Sequence, residues 1–215
     1  MSVANKPVEK SRPAEKRKRV SKAPEIRREE LLQTAAQLFK EKGIAATGIG
    51  DITDRAEVAR GTFYLYFASK DEVVGALWER YVNGHLQLME ERLSHTGVRA
   101  GDGLALMLEL VTRLTEHSLE HAELHRLVYG TADAEAIAIC RRANELIIVR
   151  LAEAMRTHLT APNLSRDEPH LTASFILHGV HGALHDAIMQ GGPVDRASFI
   201  DRVRRFAANA LAGPS

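Results

Sequence analysis

The sequence predicts an all-α protein with a small N-terminal helical unit and a larger helical remainder. Three observations carry this. No proline occurs between Glu25 and Thr160, so nothing interrupts long helices there. Apolar residues recur at three- and four-residue spacing through most of the chain, and no stretch alternates with the period of two that a half-buried strand requires.

The elements follow in order. Residues 1–23 hold eight Lys/Arg against two Glu, a net charge of +6, with little apolar content; such a segment reads as a disordered basic arm. A first helix starts at Pro24, a favoured first-turn residue, and stops at Lys42 before Gly43. Its stripe is Leu31, Leu32, Ala35, Leu38 and Phe39. Thr47 is expected to cap a short second helix that buries Ile49, Ile52 and Ala56. "EVA" (57–59) is a brief turn, and a third short helix covers about residues 60–66. "SKDE" (69–72) has the form of a capping box, in which Ser69 receives the amide of Glu72 and Glu72 reaches back. It opens a longer helix running to about Ser94. Candidate helices then cover 102–119, 122–131, 135–159, 167–190 and 195–211.

Bulk properties narrow the function. The 215 residues suffice for one large or two small domains. Hydrophobic content of 45% and charged content of 27% are those of an ordinary soluble protein, and no apolar run reaches the length of a membrane span. A single cysteine, Cys140, excludes a disulfide framework and fits a reducing cytoplasm. Net charge outside the arm is −2 over residues 24–75 and −3 over 76–215. All eight lysines lie at or before Lys70 and all ten histidines at or after His85. This shift suggests an arm (1–23), a first domain (24–75) and a second (76–215).

The third helix is unusual. Of eleven aromatic residues in the chain, Phe63, Tyr64, Tyr66 and Phe67 fall within five positions. Phe63 and Phe67, with Val58, should pack on the first helix. Arg60, Gly61, Thr62, Tyr64 and Tyr66 are then left outside, as on a helix that enters a DNA major groove. Arg60 has the fork for guanine, Thr62 can meet a base edge, and phenols suit phosphate. Lys70 and the amides at the Ser69 cap offer a further phosphate site.

"TGIGDITDRAEVARGTFYLYFASKDEVVGAL" (47–77) resembles the DNA-binding domain of TetR-family transcriptional regulators. Thr47, Ile52, Ala56, Val58, Gly61, Thr62, Phe63, Tyr64, Phe67, Ser69, Lys70 and Glu72 match the family pattern in register. Thr53, where alanine is usual, Glu57, at the turn glycine, and Tyr66, where histidine is frequent, depart from it. The resemblance implies a helix-turn-helix domain in which Thr47, Tyr64, Tyr66 and Lys70 meet phosphates while Arg60, Gly61 and Thr62 face bases. It also implies a C-terminal helical domain that binds an effector and dimerises, so the expected partners are an inverted-repeat DNA operator, a second copy of the chain and an unidentified small molecule. The expected function is a ligand-released repressor, with no enzymatic activity, cofactor or membrane association, located in the cytoplasm.

Within the second domain, Met107, Val111, Tyr129, Cys140 and Phe175 are candidate pocket walls. Gly179, Gly182, Ala183 and Ala187 form a small-residue strip where another helix can approach, and Phe206 lies on a matching face of the last helix; these are the expected dimer seam. His178, His181 and His185, and His117, His121 and His125, have helical spacings that suggest metal. Neither set is accompanied by HExxH, a carboxylate triad or a cysteine, so no metal ligand is assigned. A metal-responsive regulator or metal-binding helical protein using these histidines is the alternative reading.

Overall fold

A computed structural model describes residues 23–94, 102–159, 168–190 and 194–211. The basic arm expected over 1–23 lies almost wholly outside them. The described residues form α1 (Pro24–Lys42), α2 (Ile49–Arg55), α3 (Arg60–Tyr64), α4 (Lys70–Ser94), α5 (Gly103–Glu120), α6 (Ala122–Thr131), α7 (Ala134–His158), α8 (Glu168–Met189) and α9 (Arg196–Leu211). No strand occurs among them, and no helix is long and apolar enough to cross a membrane.

The first helix begins at Pro24 and ends where Gly43 turns to φ +83°, a conformation that suits glycine; the Gly43 amide donates to the Phe39 carbonyl. Its predicted stripe is buried in full: Leu31, Leu32, Ala35, Leu38 and Phe39 are all at most 3% exposed. Two ion pairs tie α1 to α2, Lys42–Asp51 at 2.8 Å and Arg55–Glu41 at 2.6 Å. Arg80–Glu29, at 2.7 Å, ties α1 to α4.

The expected cap of α2 needs correction. The N-cap is Gly48, whose amide donates to the Asp51 carboxylate at 2.7 Å. Thr47 is 1% exposed, and its hydroxyl donates to the Gly43 carbonyl at 2.7 Å. The end of α1 leaves carbonyls unpaired, and the Thr47 hydroxyl satisfies one of them. Thr53 is equally buried, with its hydroxyl donating to the Gly50 carbonyl at 3.0 Å, which is how a polar residue fits beneath α2. The α4 cap forms with one change. Ser69 Oγ accepts from the Glu72 amide at 3.1 Å, but Glu72 accepts from the amide of Ala68 instead of Ser69.

One apolar core runs from Leu31 on α1 to Ala207 on α9, so the helical unit at the N-terminus and the larger remainder share it. The division expected near residue 75 falls inside α4. That helix packs against α7, α5 and α1, so the two expected units meet along it. Trp78, fully buried at the centre, donates its indole N–H to Asn144 Oδ1 of α7 at 2.8 Å. The last helix lies chiefly along α5, and its Phe206 ring edge comes to 3.6 Å from where a side chain on Gly179 of α8 would begin.

Candidate functional site

The helix-turn-helix is α2, a turn at 56–59 and α3. The turn closes through Val58 N–H to the Thr53 carbonyl at 3.0 Å and Thr62 N–H to the Ala59 carbonyl at 2.8 Å. Glu57 stands at the bend with φ +53°, the left-handed region that glycine occupies without strain. This departure from the family pattern is therefore accommodated in the backbone glycine would adopt.

Packing orients α3. Phe63 and Phe67 are 0% and 1% exposed, and the Arg28 guanidinium of α1 sits 4.8 Å from the Phe67 ring centroid. With that face fixed inward, Arg60, Gly61, Tyr64 and Leu65 are exposed, while Thr62 and Tyr66 are half-buried. Tyr64 keeps 51% exposure although its ring stands edge-on to Phe63 at 5.6 Å. No ion pair holds Arg60 among the described residues. Gly61 has open space where a Cβ would be, so nothing among the described residues requires a glycine there.

Two expected phosphate contacts sit differently. The Thr47 hydroxyl is turned into the core, as described above. Lys70 is half-buried, and its ammonium donates to the carbonyls of Ile44 at 2.8 Å and Thr47 at 3.2 Å. It pins the start of α4 to the α1–α2 connection. That leaves one of its three N–H groups for anything outside.

The second domain encloses a cavity of about 30 Å³ between α4, α5, α7 and α8. It holds room for about two water molecules. Its wall is mostly aliphatic, with Tyr81, His85, Thr115, Ser118, Asn144 and His181 as the polar members. A chain of hydrogen bonds runs behind it. Ser118 Oγ donates to the Leu114 carbonyl at 2.9 Å, so it accepts from the Tyr81 hydroxyl at 2.8 Å. The Tyr81 oxygen in turn accepts from His125 Nε2 at 2.8 Å. His125 Nδ1 and His181 Nε2 are buried without a partner among the described residues. Burial is the main cause that lowers the pKa of His125 to about 2, of His85 to about 3 and of His181 to about 4, so these imidazoles are neutral. It also raises that of Tyr129 to about 12.

Of the sequence-expected walls, Val111 lines this cavity. Met107 and Cys140 are fully buried in the surrounding core, and Tyr129 lies behind the cavity against His125 and His181. Phe175 is not a wall: at 64% exposure it points outward. Leu171, four residues earlier, is 55% exposed on the same side, and the line continues through His178, Gly179, Gly182 and Ala183, all exposed. Phe206 of α9 is 46% exposed nearby. Among the described residues nothing comes within 4 Å of where a Cβ on Gly182 would stand.

The histidine sets also part company. His178 is exposed and meets Ser174, whereas His181 and His185 turn inward. His117 lies in the last turn of α5, His121 stands between α5 and α6, and His125 lies in α6. Sequence reasoning passed over Ser118, Asn144 and Glu120; the first two reveal themselves only by what they face across helices. Glu120 carried a signal in the spacing His-x-x-Glu-His of residues 117–121.

Residues 31–77 match the family model of bacterial regulatory proteins, tetR family. Over 65 residues, 30% of this chain, identity is 40% with the uncharacterized HTH-type transcriptional regulator YvdT of Bacillus subtilis (strain 168), of which 34% is covered. A match of the same extent at 42% identity covers 32% of the HTH-type transcriptional repressor KstR2 of Mycobacterium tuberculosis (strain ATCC 25618 / H37Rv). The chain thus spans about a third of the length of these two relatives. A solved structure from Syntrophomonas wolfei, described as a TetR-family transcriptional regulator, aligns with 90% of this chain and 98% of its own. Its TM-score is 0.73 at 20% identity, a likeness of fold.

Proposed function

We propose, from the premise that this chain belongs to the TetR family of transcriptional regulators, that it represses transcription as a homodimer bound to an inverted repeat and lets go when a small molecule enters the second domain. It carries out no reaction. The observation that carries the reading is the outer face of α3, where Arg60, Gly61 and Tyr64 are exposed and Thr62 half-buried while Phe63 and Phe67 anchor the helix from behind. Arg60 reads a guanine edge, Gly61 lets the helix backbone close on the groove, and Tyr64 and Tyr66 steady it on phosphates. Lys70 adds at most one outward N–H to this face. The arm, with eight cations, supplies affinity that depends on salt more than on sequence.

The seam is proposed on the exposed strip of α8, with Phe206 of α9 beside it. An exposed helical glycine costs about 1 kcal/mol against alanine, so Gly182, with no internal reason to lack a side chain, fits close approach by a second copy. Leu171 and Phe175 extend that surface in apolar character.

The effector is proposed to occupy the cavity beside Tyr81, Ser118 and Asn144. A cavity of about 30 Å³ is far below the several hundred that hold an organic ligand, so entry has to part helices. Those helices include α4, whose first turns carry Lys70 and abut α1. Differential fit to the parted state is what would shift the DNA-binding unit.

Selection of bound sequences from a random DNA pool, using the full chain, tests the reading. Enrichment of a two-fold symmetric motif is the expected result; an asymmetric half-site, or no enrichment, would overturn it.

A further inference from the structure

Residues 117–121, "HSLEH", bring together a group that the regulatory reading does not use. One donor atom each of His117, Glu120 and His121 lies within 4.8 Å of the others. His117 and His121 are half-buried and Glu120 is exposed, so the group is reachable from solvent. The i, i+3, i+4 spacing places all three on one side of the end of α5.

The hydrogen bonds assign the protons. His117 Nε2 faces the Tyr81 carbonyl at 3.3 Å, and His121 Nδ1 faces the His117 carbonyl at 2.8 Å. A carbonyl only accepts, so these nitrogens carry the ring hydrogens. Each imidazole is left with one nitrogen whose lone pair is uncommitted. Donation of the second ring N–H to a backbone carbonyl is the support that metal-bound histidines regularly have, because it fixes both tautomer and orientation.

The His117 ring is held in place from two further sides. It stacks on Tyr81 at 5.5 Å with an interplanar angle of 12°. It also occupies the space a side chain on Gly84 would need: a Cβ there would stand 2.7 Å from the ring. Only glycine at this point of α4 lets the imidazole seat as it does.

We infer that His117, Glu120 and His121 form a binding site for a divalent transition-metal ion of the zinc class, with a remaining coordination position open. Two imidazoles and one carboxylate suit zinc, cobalt or nickel, whereas calcium and magnesium favour all-oxygen sets. The Arg196 guanidinium lies 3.9 Å from the Glu120 carboxylate and is the cation the ion would displace.

The place in the fold gives the site a consequence. His121 is the single residue between α5 and α6. Just beyond it, α6 reaches α1 through the Lys40–Glu123 ion pair at 2.6 Å and the α1–α2 connection through the Ile44 amide, which donates to Thr131 Oγ1 at 3.3 Å. An ion held by His117 and Glu120 on one side and His121 on the other fixes the direction in which α6 leaves α5.

The test uses untagged, full-length protein stripped with a chelator and then titrated with cobalt(II), read by visible absorption, and with zinc(II), read by elemental analysis after gel filtration. One ion per chain is expected. Glu120→Gln and His121→Gln should each raise the Kd at least about tenfold, with helix content by circular dichroism unchanged, while His170→Gln keeps full affinity. Glu120 is exposed, so its variant answers the question even if His121→Gln disturbs the helix junction. Absence of a stoichiometric ion, or an affinity indifferent to Glu120→Gln, overturns the site. The titration needs no DNA, so its outcome stands apart from that of operator binding.

Discussion

The Lys70 ammonium donates to the Ile44 carbonyl at 2.8 Å, across 26 residues of chain, and so closes the helix-turn-helix unit onto the start of α4. A lysine in that position stabilises the fold besides whatever it does for DNA. Lys70→Ala should lower the stability of the DNA-binding unit by about 1–3 kcal/mol, because the Ile44 and Thr47 carbonyls lose a charged donor. Thermal unfolding of the free protein is the check. An unchanged midpoint together with weakened operator binding would restore Lys70 to a pure phosphate contact.

Arg60 and Tyr64 should separate base reading from anchoring. Arg60→Ala is expected to relax the preference at one operator position by about 1–3 kcal/mol. Tyr64→Phe should weaken all sequences alike and leave the fold untouched, since the ring keeps its edge contact with Phe63. Affinities measured over a set of single-base operator variants distinguish the two. An even loss for Arg60→Ala would make it a backbone contact.

Gly182→Leu should break the proposed seam. It places two leucines against each other across a two-fold axis, at about 1–3 kcal/mol for each side chain that cannot be accommodated. Among the described residues of one chain a Cβ at this position meets nothing within 4 Å, and Gly182 is exposed, so the monomer should fold normally. Sedimentation should find a monomer or a weakened dimer with poor operator affinity, because two linked half-site contacts gain from effective concentration. A tight dimer that binds DNA normally would move the interface elsewhere.

Acid should destabilise the second domain before it protonates most carboxylates. His125 is packed among Trp78, Tyr81, Tyr129 and His181, with His85, His121 and His185 as further titratable neighbours, and burial lowers its pKa from 6.5 to about 2. His181 is lowered to about 4. The unfolded chain therefore takes up protons below 6.5 that the folded one refuses. Stability is whole above that pH and falls as pH drops through it, by about 1 kcal/mol per histidine over the first unit. Unfolding curves at successive pH values should follow this course, and His125→Gln should flatten it.

Local chemistry explains what could be read in advance. Pro24, Gly43 and the Ser69–Glu72 box mark helix ends through neighbours a few residues away, and those ends lie where expected. Thr47 misled because its hydroxyl has two outlets at similar distance along the chain. It bonds back to the Gly43 carbonyl, and the helix begins one residue later, with Gly48 as N-cap donating its amide to Asp51. Phe175 misled for a different reason. Helix α8 is apolar around much of its circumference, so periodicity does not tell its inner side from its outer one; that is decided by how α6, α7 and α9 pack on it. The roles of Asn144 and Ser118 depend on partners 66 and 37 residues away, which no local pattern encodes.

The continuity of α4 has a mechanical consequence. Its 25 residues make a rod about 37 Å long, anchored at one end beside the α1–α2 connection and lined further along by helices of the second domain. Pivoting such a rod by about 5° displaces one end relative to the other by about 3 Å, comparable to the full length of a hydrogen bond. Two rods joined at a seam would turn that angular play into a change in the separation of the two α3 helices. The second domain would then govern the spacing of the half-sites that the proposed dimer can span, while the choice of bases would stay with α3.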